Sequence, residues 1–517
     1  MREGLRQAMA WLHTWLGLTF GWLLFAMFLT GTLSYFKEEI SHWAHPEVPV
    51  RELDTRASLA LAETFLQANA GDAPTWYVMP PDERQPALEV MWPQAGEQGR
   101  RFVSKLLDPQ NGQLVTTRDS RGGDFFFRFH YELELGYPWG RWVASLAALA
   151  MLVALISGII THKKFFKEFF TFRPGKGQRS WLDGHNAVGV LVLPYHLIIT
   201  YSGLVIFMAM LLPASFTTVY KEGVGQFYQE AFPNAFPPKA QGEPAPQASL
   251  ATLYDAALAQ WPGARFSRIE VQNPGDRSAR VVFYRHGGDR IAYLPGASLA
   301  FDGVTGQPVG SAVPGSGALW VGGGFYGLHM GQFANTVERW LYFVFGLAGS
   351  GMIATGLVLW LSKRQLKHAR EARPPIGLRV VATLNLAGIA GLVTAVAAYF
   401  CANRLLPLAL AERSGWEVRV FFLAWLGSLV HAALRPTRQG WIEQLSLATV
   451  LYLSLPLLGM LTTSRGLTHA IAANDWAMAG VDLSLLGCAG TLGWLARKLA
   501  LKGAPDQAPA RAARVVS

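Results

Sequence analysis

Apolar residues in this chain come in blocks of about twenty, the length that an α-helix needs to cross the hydrocarbon core of a bilayer. Eight such blocks stand out: Trp11–Phe36, Arg141–His162, His185–Leu212, Arg339–Leu361, Leu378–Cys401, Val418–Leu434, Ile442–Thr463 and Ala477–Ala496. A soluble enzyme of 517 residues would carry more than the 15% charged residues found here. The net charge of +10 does not point to nucleic acid, because the basic residues crowd at the ends of apolar blocks. Lys163–Arg179, Lys363–Arg373, Arg435–Arg438 and Arg497–Arg514, together with Arg2 and Arg6, all fall on one side if the chain crosses eight times, which makes that side the cytoplasm by the positive-inside rule. Both termini are then cytoplasmic, and the first block reads as a retained anchor rather than a cleaved signal. Two cysteines, Cys401 and Cys488, form neither a disulfide framework nor a CxxC site.

The expected organisation follows from these blocks: a first span (1–36), an outer segment (37–140), spans two and three around a basic loop (141–212), a second outer segment (213–338), span four with a basic tail (339–375), a four-span module (376–500) and a tail (501–517). Each outer segment predicts a small α+β domain, with helical periodicity at Ala57–Ala68 and at Ala248–Gln260, followed by alternating apolar stretches. Each contains a turn in which Asp stands four residues before Gly, Asp108…Gly112 and Asp302…Gly306. Gly322–Gly324 reads as a flexible link into span four, and no nucleotide-binding glycine motif follows a strand.

The unit of span, outer domain, span occurs twice. Eighteen residues separate His13 from Gly31, and the same interval separates His185 from Gly203; both glycines follow a hydroxyl residue, Thr30 or Ser202. His130 precedes Arg141-Trp142 as His329 precedes Arg339-Trp340, and Ser157-Gly158 and Thr355-Gly356 follow in spans two and four. Parallel copies predict a pseudo-two-fold axis along the membrane normal. Such an axis sets His13 opposite His185 near the inner face, and His130 opposite His329 near the outer face. Facing imidazoles are what a haem iron takes as axial ligands. Gly17 and Gly189, four residues after their histidines, would leave room for the porphyrin. His196 has no counterpart in the repeat, Leu24 standing in its place; it is a further candidate ligand, proton relay or carbonyl partner, three turns from His185 on one helix face. His162 reads as interfacial, and His431 and Asn385 read as isolated structural residues in a C-terminal module without motifs.

The His13-Thr-Trp-Leu-Gly start, the Leu-Thr-Gly of span one, the doubled Asp…Gly turn and Leu328-His329 before Arg339-Trp340 resemble the PepSY-associated transmembrane family over about Leu5–Lys363, and Gly175–Asn186 looks like its longer members. The resemblance implies PepSY-like outer domains in the periplasm, a place in the bacterial inner membrane and a link to iron uptake. Some members resemble ferric-siderophore reductases with two b-type haems. By that resemblance the chain is a ferric-chelate reductase: it takes electrons from a cytoplasmic or membrane donor through His13/His185 and His130/His329, releases Fe(II) from a ferric siderophore or chelate, and works beside periplasmic iron-uptake proteins. Oxygen donors that hold hard Fe(III) bind Fe(II) more weakly, which is why reduction releases the metal. No catalytic residue is singled out. Three other readings stay open. The haems could serve another periplasmic acceptor, the chain could be a non-redox scaffold or regulator with structural histidines, or it could be a siderophore or metal transporter component. Spans one to four lack the acidic residues of a proton-coupled carrier.

Overall fold

A computed structural model describes residues 2–96, 99–162, 178–312, 316–371, 373 and 375–501. Much of the basic loop between spans two and three and the basic end of the tail therefore lie outside the described residues. The chain is mainly helical and divides into two units, Met1–Trp360 and Leu361–Ser517. Seven helices are long and apolar enough to cross a membrane, and an eighth crossing is possible if one bent pair counts as a span, which makes this a multi-pass membrane protein.

The first unit begins with α1 (Arg2–Ser34), α2 (Lys37–Ala44) and α3 (Thr55–Asn69), then strands β1 (Thr75–Met79), β2 (Leu88–Gly96) and β3 (Gly99–Leu107). Next come α4 (Asp124–Glu132) and the span α5 (Trp139–Thr161). The third expected span is α6 (Gln178–Leu191) followed by α7 (Leu193–Ile206), bent by 67°. Val192 sits at the break, and Pro194 opens α7, where its missing N–H is harmless. The bend corrects the expectation that His185 and His196 share one straight helix face. Three short helices follow, α8 (Met208–Leu211), α9 (Pro213–Thr217) and α10 (Val224–Ala231), then α11 (Leu250–Gln260). Strands β4 (Phe266–Gln272), β5 (Arg280–Arg285), β6 (Ser298–Asp302) and β7 (Pro308–Ala312) precede α12 (Gly317–Met330) and α13 (Thr336–Lys367).

The two outer segments share one seven-stranded antiparallel sheet, ordered β3-β2-β1-β4-β5-β6-β7. Its seam is the β1–β4 pairing, with Tyr77 opposite Glu270. One face buries Trp76, Val78, Val90, Ile269, Val271 and Phe283 beneath Leu59 and Leu66 of α3 and Leu250 and Leu253 of α11. Each such side chain contributes about 1.5–3 kcal/mol when fully buried. Glu63 of α3 accepts the Leu250 N–H at 3.0 Å, joining the helices of the two segments. The other face mixes a small apolar cluster of Val282, Tyr284 and Ala300 with the buried Glu270, and the Arg268 guanidinium lies 4.2 Å from the Tyr284 ring centre. Burial raises the Glu270 carboxyl above its ordinary range.

Ion pairs tie the sheet to the helices. Glu39 of α2 takes Arg84 at 2.8 Å and Arg339 at 2.5 Å. Gly322–Gly324 is helical rather than a flexible link. The Gly323 carbonyl accepts the Tyr293 N–H, and a Cβ at Gly323 or Gly327 would strike the 291–293 backbone at 2.6 or 1.7 Å. Close backbone approach therefore requires glycine at both positions.

The second unit holds α14 (Ile376–Asn385), a π-helical stretch Leu386–Gly391 and α15 (Leu392–Leu405). It continues with α16 (Arg413–Leu434), α17 (Arg438–Thr462), α18 (Leu467–Ala472) and α19 (Trp476–Leu501). The carbonyl of Ala387, within the π stretch, accepts the Trp425 indole N–H at 3.0 Å. This unit is richer in buried charge than its sequence suggests. Arg413 and Glu417 are fully buried and pair at 2.6 Å, with Asn403 also donating to Glu417. His431, expected to be isolated, bonds Glu443 at 2.8 Å and Gln444 at 3.1 Å. Asn385 is likewise not isolated but makes contacts of its own. Cys401 and Cys488 are free thiols.

Candidate functional site

The four repeat histidines come together in two pairs. The ring centres of His13 and His185 lie 6.2 Å apart, and those of His130 and His329 lie 6.1 Å apart. Metal–nitrogen bonds of about 2 Å on either side of one shared metal put two imidazole centres about 6 Å apart.

Each ring is held by its Nδ1 against a backbone carbonyl of another helix. The partners are Ala154 for His13 (2.8 Å), Met27 for His130 (2.7 Å), Met352 for His185 (2.9 Å) and Ile199 for His329 (3.0 Å). An Nδ1–H that donates to a carbonyl leaves Nε2 with its lone pair free, the tautomer that binds a metal. His130 on α4 and His329 on α12 lie outside the seven candidate spans. Burial lowers both imidazoles, His329 to about 3 with the nearness of His130 adding to it. Both are neutral at ordinary pH, as ligation requires.

The four accepting carbonyls have one thing in common: each lies three residues before a Ser or Thr that is followed by Gly. The hydroxyl donates to the same carbonyl in every case: Thr30 to Met27 (3.4 Å), Ser157 to Ala154 (3.0 Å), Ser202 to Ile199 (3.2 Å) and Thr355 to Met352 (2.9 Å). The glycine then gives the imidazole its space. A Cβ would stand 2.6 Å from His130 at Gly31, 3.2 Å from His13 at Gly158, 3.1 Å from His329 at Gly203 and 3.1 Å from His185 at Gly356. The Ser/Thr-Gly dipeptides were visible as markers of the repeat, yet their role as carbonyl clamps was not. Gly17 and Gly189 do not crowd the rings: a Cβ at Gly17 meets open space, and one at Gly189 meets the Met352 sulfur at 3.3 Å.

A cavity of about 390 Å³ opens against the second pair. His130, His329, Gly31, Gly203 and Thr200 line it, and Lys37, Glu38, Arg84, Arg141 and Gln332 border it as well. Arg141 is paired with Glu132 at 2.9 Å, and Lys37 with Glu38 at 3.2 Å. Among the described residues no group of three or more His, Cys, Asp or Glu gathers as a metal site.

His196 stands apart from both pairs. It is fully buried, with the Phe28 ring 6.0 Å away and Gly349 beside its Nε2. His162 caps the end of α5.

The sequence matches the model of the PepSY-associated TM region over residues 10–363. It is also similar to the uncharacterized protein PA4219 of Pseudomonas aeruginosa, with 25% identity over 326 residues that cover 60% of this chain and 80% of the relative. The match spans both histidine pairs and all four Ser/Thr-Gly clamps, and the chain belongs to the PepSY-associated TM region family.

Proposed function

We propose that this chain is a dihaem electron carrier of the bacterial inner membrane that reduces a ferric siderophore or another ferric chelate on the side where the sheet lies. The observation that carries this reading is the pair of imidazole gates, 6.2 and 6.1 Å between ring centres, with all four Nδ1 atoms committed to carbonyls. Each site offers two facing imidazoles and, among the described residues, no further cluster of ligands, which would suit a metal held mainly by a macrocycle rather than a bare ion needing four protein ligands. His13 and His185 would hold one b-type haem, and His130 and His329 the other. Haem iron supplies one-electron chemistry at each position.

The chain's own part is to fix the rings and keep them neutral. The glycine cradles exclude side chains from around the imidazoles, and the carbonyl clamps hold the tautomer. Four Ser/Thr-Gly clamps, each serving one histidine, support a duplicated span–domain–span unit with a pseudo-two-fold axis. The bent α6–α7 pair supports an eighth crossing. The cavity beside His130 and His329 supports delivery to an acceptor on the sheet side, and the resemblance supports a ferric chelate there, with the donor on the opposite, basic side.

The test is an absorption spectrum of the detergent-purified full chain, oxidised and dithionite-reduced, with a pyridine haemochrome count. Sharp b-type bands and two haems are expected. His13→Ala or His185→Ala removes one, and His130→Ala or His329→Ala removes the other. A colourless protein from haem-replete cells would overturn the reading in favour of a scaffold, with the histidines serving only to pack.

A further inference from the structure

His196 is a buried imidazole without a hydrogen-bonding partner for either ring nitrogen among the described residues; the Phe345 carbonyl faces it without meeting hydrogen-bond geometry. A polar group buried in this way is costly and calls for a purpose. Its position is informative. On α7 it precedes Gly203, the cradle of His329, by seven residues; on α13, Gly349, which abuts His196, precedes Gly356, the cradle of His185, by seven residues. At 1.5 Å per residue each interval is about 10 Å, so His196 lies midway between the two imidazole pairs.

No fixed charge competes with it there. No Asp, Glu, Lys or Arg occurs between His13 and Lys37, Arg141 and His162, His185 and Lys221, or Arg339 and Lys363. From α1 it meets Phe28, and from α13 Gly349 and the Phe345 backbone; α7 adds Tyr195, whose hydroxyl lies 3.2 Å from Tyr35, with Tyr342 packed edge-on against both tyrosines. Its own helix also reaches a cavity. Thr200, one turn on, lines the 390 Å³ cavity and has a buried hydroxyl without a protein partner among the described residues; Ser145, which also lines the cavity, has another.

We propose that His196 is a proton-accepting residue that compensates the charge of electrons held in the bundle. This rests on the dihaem reading. For each electron gained from a one-electron reductant, Fe(III) going to Fe(II) between one imidazole pair, the neutral His196 ring binds one proton by way of Thr200 and the cavity. When that electron passes to the ferric chelate, whose Fe(III) becomes Fe(II), the imidazolium returns the proton. Without compensation, an added electron in a low-dielectric interior is held less favourably.

The experiment is a spectropotentiometric titration of the haem-loaded full chain from pH 5.5 to 9, for the parent protein, His196→Gln and His196→Leu, each with its haem count. In the parent at least one midpoint potential falls as pH rises, with a slope of up to about 59 mV per unit, the one-electron equivalent of a tenfold change. Both variants keep two haems and lose that slope. Equal slopes in all three proteins, or a slope kept by His196→Gln, would overturn the proposal while leaving the haem reading intact. A parent chain that purifies without haem would overturn both.

Discussion

His130 and Gly31 meet so closely that a Cβ on the glycine would stand 2.6 Å from the ring Nδ1, the same nitrogen that donates to the Met27 carbonyl. The ring cannot retreat without giving up that bond. Gly31→Ala is therefore expected to displace His130 and, on the dihaem reading proposed above, to lower the haem count from two to one, with about 1–3 kcal/mol of overpacking cost. Gly158→Ala, where the Cβ would stand 3.2 Å from His13, keeps both haems because a few tenths of an ångström suffice. The haemochrome count and thermal unfolding of the two variants distinguish these outcomes; equal haem loss in both would show that the cradle distances do not matter.

The Ser202 hydroxyl shares the Ile199 carbonyl with His329 and lies 3.0 Å from the ring Nδ1 itself. In Ser202→Ala the Nδ1–H and that carbonyl, the stronger acceptor, are left to each other alone. The ring becomes more electron-rich and stabilises the ferric state. On the dihaem reading, the midpoint potential of a haem held by His130 and His329 should drop by roughly 20–60 mV, the equivalent of a hydrogen-bond change of about 0.5–1.5 kcal/mol. Haem content is unchanged, and a potentiometric titration reads the shift. A rise in potential would reverse the assigned direction of the bond.

Much of this site is legible in the sequence because its spacings recur. The interval from His13 to Gly31 recurs from His185 to Gly203, and a repeated interval on helices fixes which residues lie level with each other. What the sequence hides is contact between elements distant along the chain. The clamp between His130 and the Met27 carbonyl joins residues 103 apart, and a carbonyl has no side chain to betray it. The shared sheet is hidden for a related reason: β1 and β4 each alternate as any half-buried strand does, and nothing local says that Tyr77 pairs with Glu270 rather than with an edge. The bend at Val192 had a local signal in Pro194, outweighed by the continuous apolar run around it. The buried ion pairs of the second unit were missed because Arg413 and Glu417 sit at the edge of an apolar block, where charges are ordinarily solvated.

That Arg413–Glu417 pair should be costly to break. Both side chains are fully buried at 2.6 Å, and Glu417 also accepts from Asn403. Glu417→Leu leaves the guanidinium buried without its carboxylate, a loss of about 3–5 kcal/mol. Because the charge lies in the second compact unit, the haem count of the first is expected to hold. Hydrogen exchange along α15 and α16, read beside the absorption spectrum, checks both parts. Unchanged exchange would mean that the pair adds little to the stability of this unit.

Glu63 gives the sheet a pH dependence of predictable sign. Burial raises its carboxyl above the ordinary range, and the Leu250 N–H that it accepts offsets this only in part. Between the unfolded value of about 4.3 and the raised folded value, the native state binds more protons than the unfolded chain. Stability is then highest below that window, falls as pH rises through it and stays level above it. Glu63→Gln keeps an acceptor for Leu250 but has no charge to bury. Its α3–α11 layer should therefore match or exceed the parent by about 1 kcal/mol near pH 7, with the advantage shrinking to nothing below about pH 4. Hydrogen exchange of α3 and α11 in the detergent-solubilised full chain, measured across pH 4 to 8 after correction for the intrinsic rate, reads this directly. An advantage that instead grows toward acid pH would mean that the Glu63 carboxylate is stabilised by folding, with the Leu250 bond outweighing burial.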